Sequence, residues 1–262
     1  MPRPIVTLTT DFGLSDHFAG VMKGVILSIQ PQAQIVDITH DVNPQEIMEG
    51  AFVVSEMYRW FPKKTVHVVV VDPGVGASRR PVLVEAAGQY FAGPDNGVFW
   101  MLIEREKHKV RALTNEKYFL HPVSDTFHGR DIFAPVAAHL AKGVPPARFG
   151  RLIDDYYRGV PTAPSRIGRR IWSGAVLKVD HFGNLITNFR AEEFPELRLR
   201  PFVMRIGTRE VSSLVRTFAA AGAGEPALVT GSSGYLEVVV NRGSAAKLLG
   251  CVAGSPAELR IY

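Results

Sequence analysis

The chain has a single cysteine, Cys251, among its 262 residues. One cysteine excludes an intrachain disulfide and any zinc site built on paired cysteines, and it suits a reducing cytoplasm. No apolar run reaches the roughly 18 residues that a membrane span needs. The opening residues, MPRPIVTLTTDFG, contain no signal-peptide core. Internal repeats and low-complexity tracts are absent. So are several signatures of chemistry: no GxGxxG follows the first strand pattern, there is no GxxxxGK[ST] and no GxSxG, and the histidines never take HExxH spacing. The net charge is +5, with a pI of about 9.4, but the arginines are dispersed. Without a basic stripe interleaved with aromatics, no nucleic-acid partner is expected.

What is present is a chain with 46% hydrophobic residues, enough for a proper core in one large domain or two smaller ones. Val68 to Val71 is a run of four valines, the pattern of a strand buried on both faces of a parallel sheet. It stops at Asp72-Pro73-Gly74, because proline cannot extend the ladder and glycine permits a tight turn. A carboxylate therefore stands where a buried strand ends, the usual place for a ligand in open α/β sheets. Arg79 and Arg80 follow, and either can turn back over that crevice. Taken alone, the stretch slightly favours a plainer use, an Asp capping its own turn with surface arginines beyond.

Ile5 to Thr9 reads as a first strand, ending at Thr10-Asp11-Phe12-Gly13. Ser15 or Asp16 can cap the helix that follows, whose apolar face carries Phe18, Met22, Ile26 and Ile29. A short strand at Ile35 to Ile38 precedes a helix opened by Asn43 and Pro44. Two strands flank Ala87-Gly88, and a turn cluster at Gly93 to Gly97 leads into a helix from Val98. The loop Ser124 to Asp131 enters a helix over Ile132 to Ala141 with Pro135 in its first turn. Alternating strands and helices predict an α/β domain, Rossmann-like with a mostly parallel sheet, over 1–160. Prolines thicken after Gly143, and 161–169 reads as linker. Short strands with glycine turns over 170–262 predict a small antiparallel β-barrel.

Polar clusters mark candidate sites: Asp72 with Arg79 and Arg80; Phe127-His128-Gly129-Arg130-Asp131; Asp180-His181-Phe182-Gly183-Asn184; and Gly231-Ser232-Ser233-Gly234-Tyr235 with Glu237. Each has a plainer use, as a loop histidine, a turn, a surface ion pair or a flexible hairpin. His121, Asp125, His128 and Asp131 share one loop with no second cluster at ligand spacing, so no metal site is expected.

Together the clusters resemble the S-adenosyl-L-methionine (SAM) hydrolases, also called SAM hydroxide adenosyltransferases, which are related to fluorinases and chlorinases. The pieces that carry the resemblance are LTTDFG from Leu8, DITH from Asp37, VDPGVG from Val71, GPDNG from Gly93, FHGRDIFAP from Phe127, DHFGN from Asp180 and SSGYLE from Ser232. They span nearly the whole chain in order. The resemblance implies cleavage of the bond between the ribose 5′ carbon and sulfonium sulfur by water, giving adenosine and L-methionine. It implies a homotrimer with active sites at subunit interfaces, SAM as substrate and no cofactor. It assigns Asp72, Arg79 and His128 to catalysis, a set that favours water over halide, and Asp11 to the ribose hydroxyls. Asp180 and Asn184 fall at the methionine end, Phe182 packs on the ligand, Ser232, Ser233 and Glu237 fall near the adenine end, and Tyr235 is a further substrate-binding residue. A histidine can take a proton near neutral pH; an arginine cannot. A SAM-dependent halogenase, a non-catalytic adenosine- or SAM-binding module and a metal-dependent phosphoesterase are the rival expectations.

Overall fold

A computed structural model describes residues 3–159 and 162–262. The chain divides into two compact units, Met1–Val160 and Pro161–Tyr262. The expected linker 161–169 begins outside the described residues.

The first unit contains β1 (Ile5–Thr10), α1 (Phe18–Ile29), β2 (Gln34–Thr39), α2 (Ile47–Met57), β3 (Val66–Val70), β4 (Pro81–Ala86) and β5 (Gln89–Pro94). It continues with α3 (Trp100–Arg105), β6 (His108–Ala112), α4 (Ala134–Ala141) and β7 (Leu152–Ile153). Its sheet runs β2-β1-β3-β5-β4-β6-β7. The valine run behaves as its sequence predicts. Val68 and Val70 enter one core with Met22, Ile26 and Val136, while Val69 and Val71 enter another with Val54, Phe91 and Leu102. Each valine side chain so buried contributes about 1.5–3 kcal/mol.

The sheet departs from the mostly parallel expectation. β2, β1, β3 and β5 are parallel, but β5/β4, β4/β6 and β6/β7 are antiparallel. The cause lies at Ala87-Gly88, where φ is 53° and 74°. Two successive left-handed residues close a two-residue hairpin and oblige its strands to run antiparallel.

Several local expectations shift as well. No side chain caps α1; His17 rather than Ser15 or Asp16 occupies that position. The helix after Asn43-Pro44 starts only at Ile47, with Asn43 instead bonding Glu49 through its amide and side chain. Before α4 the chain makes a π-helical stretch, Gly129–Phe133. Pro135 brings no N–H there, and the Asp131 carbonyl accepts from the Leu120 amide instead, at 2.8 Å.

The second unit contains β8 (Ser165–Gly168), β9 (Ile171–Val179), β10 (Leu185–Arg190), β11 (Phe202–Ile206), β12 (Arg209–Val211) and β13 (Leu214–Val215). β14 (Pro226–Thr230), β15 (Tyr235–Val240), α5 (Ala245–Leu249) and β16 (Pro256–Ile261) complete it. Eight strands follow the order β12-β11-β16-β9-β10-β15-β14-β13, and β8 pairs with β9. β8 thus falls inside the stretch expected to be linker. All pairs are antiparallel except β13/β14. Leu185, Phe189, Met204, Leu236, Val238 and Leu259 fill the core. The protein is thus mixed α/β, with two large sheets and few helices.

Candidate active site

β1 and β3 are neighbours with Thr10 opposite Val70, so Asp11 and Asp72 leave the sheet side by side at its carboxyl edge. They line a cavity of about 330 Å³ with Phe12, Phe18, Gln45, Phe127 and His128, within the size range of small-molecule sites. Phe12, Phe18 and Phe127 meet edge-on, with ring centroids 5.3–5.9 Å apart, and form an aromatic wall.

The turn after β3 folds Arg79 back onto Asp72. Arg79 Nε donates to Asp72 Oδ1 at 2.9 Å, and Nη2 donates to Oδ2. Both side chains are nearly sealed, 8% and 4% exposed. The turn depends on Gly76, whose φ is +74° and where a Cβ would stand 2.2 Å from the Asp125 carbonyl oxygen. Arg79 Nη2 also lies 2.8 Å from His128 Nδ1. A guanidinium only donates, so Nδ1 accepts and the ring proton sits on Nε2. Burial, then the Arg79 charge, lowers the His128 pKa below the usual histidine value, which keeps that neutral form. Arg79 Nη1 is buried without a partner among the described residues, an idle donor in the same cluster.

Which arginine turns inward is thereby settled. Arg80 binds Asp95 at 3.0 Å and Asp155 at 2.9 Å, tying the Gly93–Gly97 turn to the segment after β7. The Arg130–Asp131 pair is no simple surface bridge. Asp131 is 1% exposed and also accepts from the Ser124 amide, which braces the loop carrying His128.

Asp11 Oδ2 accepts from the Gln45 amide at 2.9 Å. Gln45 takes φ 68°, a strained value for a residue with a side chain. Nothing in the sequence marks Gln45 as a pocket residue. Phe18 is misread from the sequence as part of the helix's apolar face; it is 37% exposed and lines the cavity. The motif around Asp11 does point to Phe12.

The remaining candidates gather in the second unit. Asp180 shapes the β9–β10 turn: Oδ1 accepts from the Phe182 and Asn184 amides at 2.9 and 2.8 Å, and Oδ2 from Asn184 Nδ2 at 2.9 Å. Gly183, at φ +83°, would bring a Cβ to 2.1 Å from Ser244 Oγ. Phe182 is 75% exposed at the tip. Ser232 and Ser233 stand in the β14–β15 turn, Ser232 exposed and Ser233 half-buried. Glu237 is 7% exposed. Burial and then the charge of Asp180 push its pKa up to about 7, so Glu237 on β15 lies within electrostatic reach of the β9–β10 turn. Gly231 leaves room for it, since a Cβ there would fall 1.7 Å from Glu237 Oε1 and displace the carboxylate. Tyr235 differs from the other candidates: it is 3% exposed, its hydroxyl accepts from Arg190 Nη2 at 3.1 Å and the guanidinium stacks 4.6 Å from its ring.

Among the described residues no group of three or more His, Cys, Asp or Glu side chains is arranged for a metal, and no helix is long and apolar enough to cross a membrane.

Comparison with known proteins agrees along the whole chain. The SAM hydroxide adenosyltransferase N-terminal domain matches residues 6–150, and the C-terminal domain of the same name matches 174–258. An (R)-S-adenosyl-L-methionine hydrolase from Salinispora tropica is 38% identical over 97% of this chain and 96% of its own. A fluorinase from an Actinoplanes species is 30% identical over 91% of each chain. A crystal structure of an uncharacterized conserved protein from Thermotoga maritima superposes with a TM-score of 0.90 at 37% identity, covering 98% of this chain and 99% of that one. Matched through both units and over nearly its full length, the chain belongs to the SAM hydroxide adenosyltransferase family.

Proposed function

We propose that the protein hydrolyses SAM to adenosine and L-methionine. The observation that carries this reading is the closed contact of Asp72, Arg79 and His128 beside an aromatic-walled cavity, in a chain whose relative over 96% of its length bears the name (R)-S-adenosyl-L-methionine hydrolase. The sulfonium is already a good leaving group and needs no acid. A water-derived oxygen bonds to the ribose 5′ carbon as the carbon–sulfur bond breaks, its electron pair leaves with sulfur, and one proton is released.

His128 is the expected proton acceptor, but the geometry favours a different use. Nδ1 is engaged by Arg79, so the ring offers Nε2–H and holds the oxygen by donating to it. Arg79 stands beside that oxygen as a further hydrogen-bond donor, and both contacts favour hydroxide over water. Asp72 holds the guanidinium in place and balances its charge. Alignment of that oxygen with the carbon–sulfur bond supplies much of the rate. Asp11 accepts from the ribose hydroxyls through Oδ1, which has no partner among the described residues. Asp180 and Asn184 hold the methionine end with Phe182 packed on it. Ser232 and Ser233 read the adenine end, Glu237 lies near them, and Tyr235 supports their turn from below.

On the same reading the first unit is a Rossmann-like domain and the second a small β-barrel. The working form is a cytoplasmic homotrimer with active sites at subunit interfaces, and neither cofactor nor metal enters the scheme. The parallel half of the first sheet and the antiparallel run of the second support the two domain descriptions. The exposed Phe182 supports the assembly.

The test is product analysis. Chelator-treated protein is incubated with SAM, with and without halide, beside His128→Ala. Adenosine and methionine, unaffected by halide and lost in the variant, are expected. A 5′-halo-adenosine would move the assignment to the halogenases, and ligand retention without turnover to a binding module.

A further inference from the structure

One buried histidine takes no part in that chemistry. His40 follows β2 and is 3% exposed. Its Nδ1 lies 2.8 Å from Thr10 Oγ1. Its Nε2 faces Asp37 Oδ1 at 3.1 Å, poorly aligned for a hydrogen bond. Lys23 Nζ donates to the other Asp37 oxygen at 2.5 Å. Thr10 Oγ1 in turn accepts from the Phe12 amide at 3.3 Å, and the His40 carbonyl accepts from the Gly13 amide at 2.7 Å.

With the ring neutral, the donors and acceptors allow one consistent order. A carboxylate only accepts, so the ring proton faces Asp37 at Nε2. Nδ1 is then free to accept the Thr10 hydroxyl proton, which leaves that oxygen's lone pairs for the Phe12 amide. Asp11 sits inside this turn. Thr10 and Phe12, its two neighbours, and Gly13 beyond are all tied directly or indirectly to His40.

We propose that His40 is a positioning residue for Asp11, fixing the Thr10–Gly13 turn so that the carboxylate meets the ribose hydroxyls. The proposal rests on the reading of Asp11 given above. Its effect belongs in KM, because the ribose contact is made in the ground state as well as the transition state.

Three substitutions separate this role from mere filling of space. His40→Asn puts an amide oxygen where Nδ1 stands and keeps an acceptor for Thr10. His40→Gln reaches only toward the Asp37 end, and His40→Leu keeps bulk without either contact. For SAM hydrolysis, Gln and Leu are expected to raise KM about tenfold, the equivalent of one lost hydrogen bond, with kcat nearly unchanged, while Asn stays close to wild type. Hydrogen exchange at the Phe12 amide should quicken by a similar factor in Gln and Leu but not in Asn. An unchanged KM in Gln and Leu, a KM for Asn as poor as that for Leu, or a loss confined to kcat would overturn the proposal. If Leu does not fold, the Asn–Gln contrast still decides it. If the wild type does not cleave SAM, the ribose reading fails, and unchanged exchange at Phe12 in Gln would separately overturn the positioning role.

Discussion

His67 makes the first unit sensitive to acid. It lies on β3 with no exposed surface, stacked on Phe91 with ring centroids 4.6 Å apart. Its Nδ1 faces Thr7 Oγ1 at 2.7 Å and its Nε2 faces Gln89 Oε1 at 3.2 Å. Gln89 Oε1 can only accept, so Nε2 carries the proton and Thr7 donates to Nδ1. The neutral ring is therefore satisfied, and a second proton would turn Thr7 from donor to acceptor and leave an unpaired positive charge inside the core. Burial accordingly lowers its pKa from 6.5 to about 4.

In the unfolded chain His67 takes its proton near pH 6.5; in the folded chain it does so only near pH 4. Its contribution is complete above pH 6.5 and declines as pH falls toward 4. A gap of roughly 2.5 units at 1.36 kcal/mol each gives about 3 kcal/mol in full, and about 2.5 kcal/mol of it is gone by about pH 4.5. The measurement is urea unfolding of wild type and His67→Leu at pH 7.5 and 4.5, with the imidazole resonance of His67 followed by NMR. His67→Leu is less stable at pH 7.5, since it strands the Thr7 hydroxyl and the Gln89 carbonyl, but the gap should close by about 2.5 kcal/mol at pH 4.5. Parallel losses in both proteins, or a His67 resonance that titrates near pH 6.5, would rule out a buried neutral His67 as the source of the acid sensitivity.

Other expectations follow from the same contacts. Asp72→Asn leaves a buried guanidinium without its counter-charge; it should lower stability by about 3 kcal/mol and abolish adenosine formation, read by calorimetry and product assay. Glu237 has the opposite sign to His67: its raised pKa means its contribution is complete below about pH 4.5 and is lost as pH rises through about 7. Glu237→Gln should remove that slope, gaining about 2 kcal/mol on the wild type between pH 5 and 8.5, after allowance for partial solvent screening; identical slopes would rule this out. Gly76→Ala must push its Cβ out of the Asp125 carbonyl, so turnover should fall more than tenfold through displacement of Arg79 while the unit stays folded by circular dichroism.

Much of the site is legible in the sequence because it lies at strand ends. Asp11 and Asp72 are marked by the strands that stop at them, and Gly74 and Gly76 by the turn they allow. The contrast of Arg79 with Arg80 is not legible: adjacent residues of one type diverge only because Asp95 and Asp155, distant in sequence, claim the second. Gln45 is invisible for a similar reason, since its backbone amide and not its side chain reaches Asp11. In the fold, apolar periodicity finds the long strands, whereas β12 and β13, with three and two residues, carry too little pattern to detect. The parallel expectation fails at Ala87-Gly88, where alanine gives no hint of a left-handed conformation.

The cancellation of Asp72 by Arg79 bears on how the reaction ends. With His128 neutral, the formal charge at the first-unit cavity reduces to the single negative charge of Asp11. On the proposed reading that charge attracts the sulfonium cation of SAM. Cleavage consumes the cation and leaves uncharged adenosine, so the field that gathers the reactant has no hold on the product. Release of adenosine is thus eased by a change in the ligand itself, and adenosine should be a weak inhibitor whose affinity is indifferent to salt while the KM for SAM rises with it.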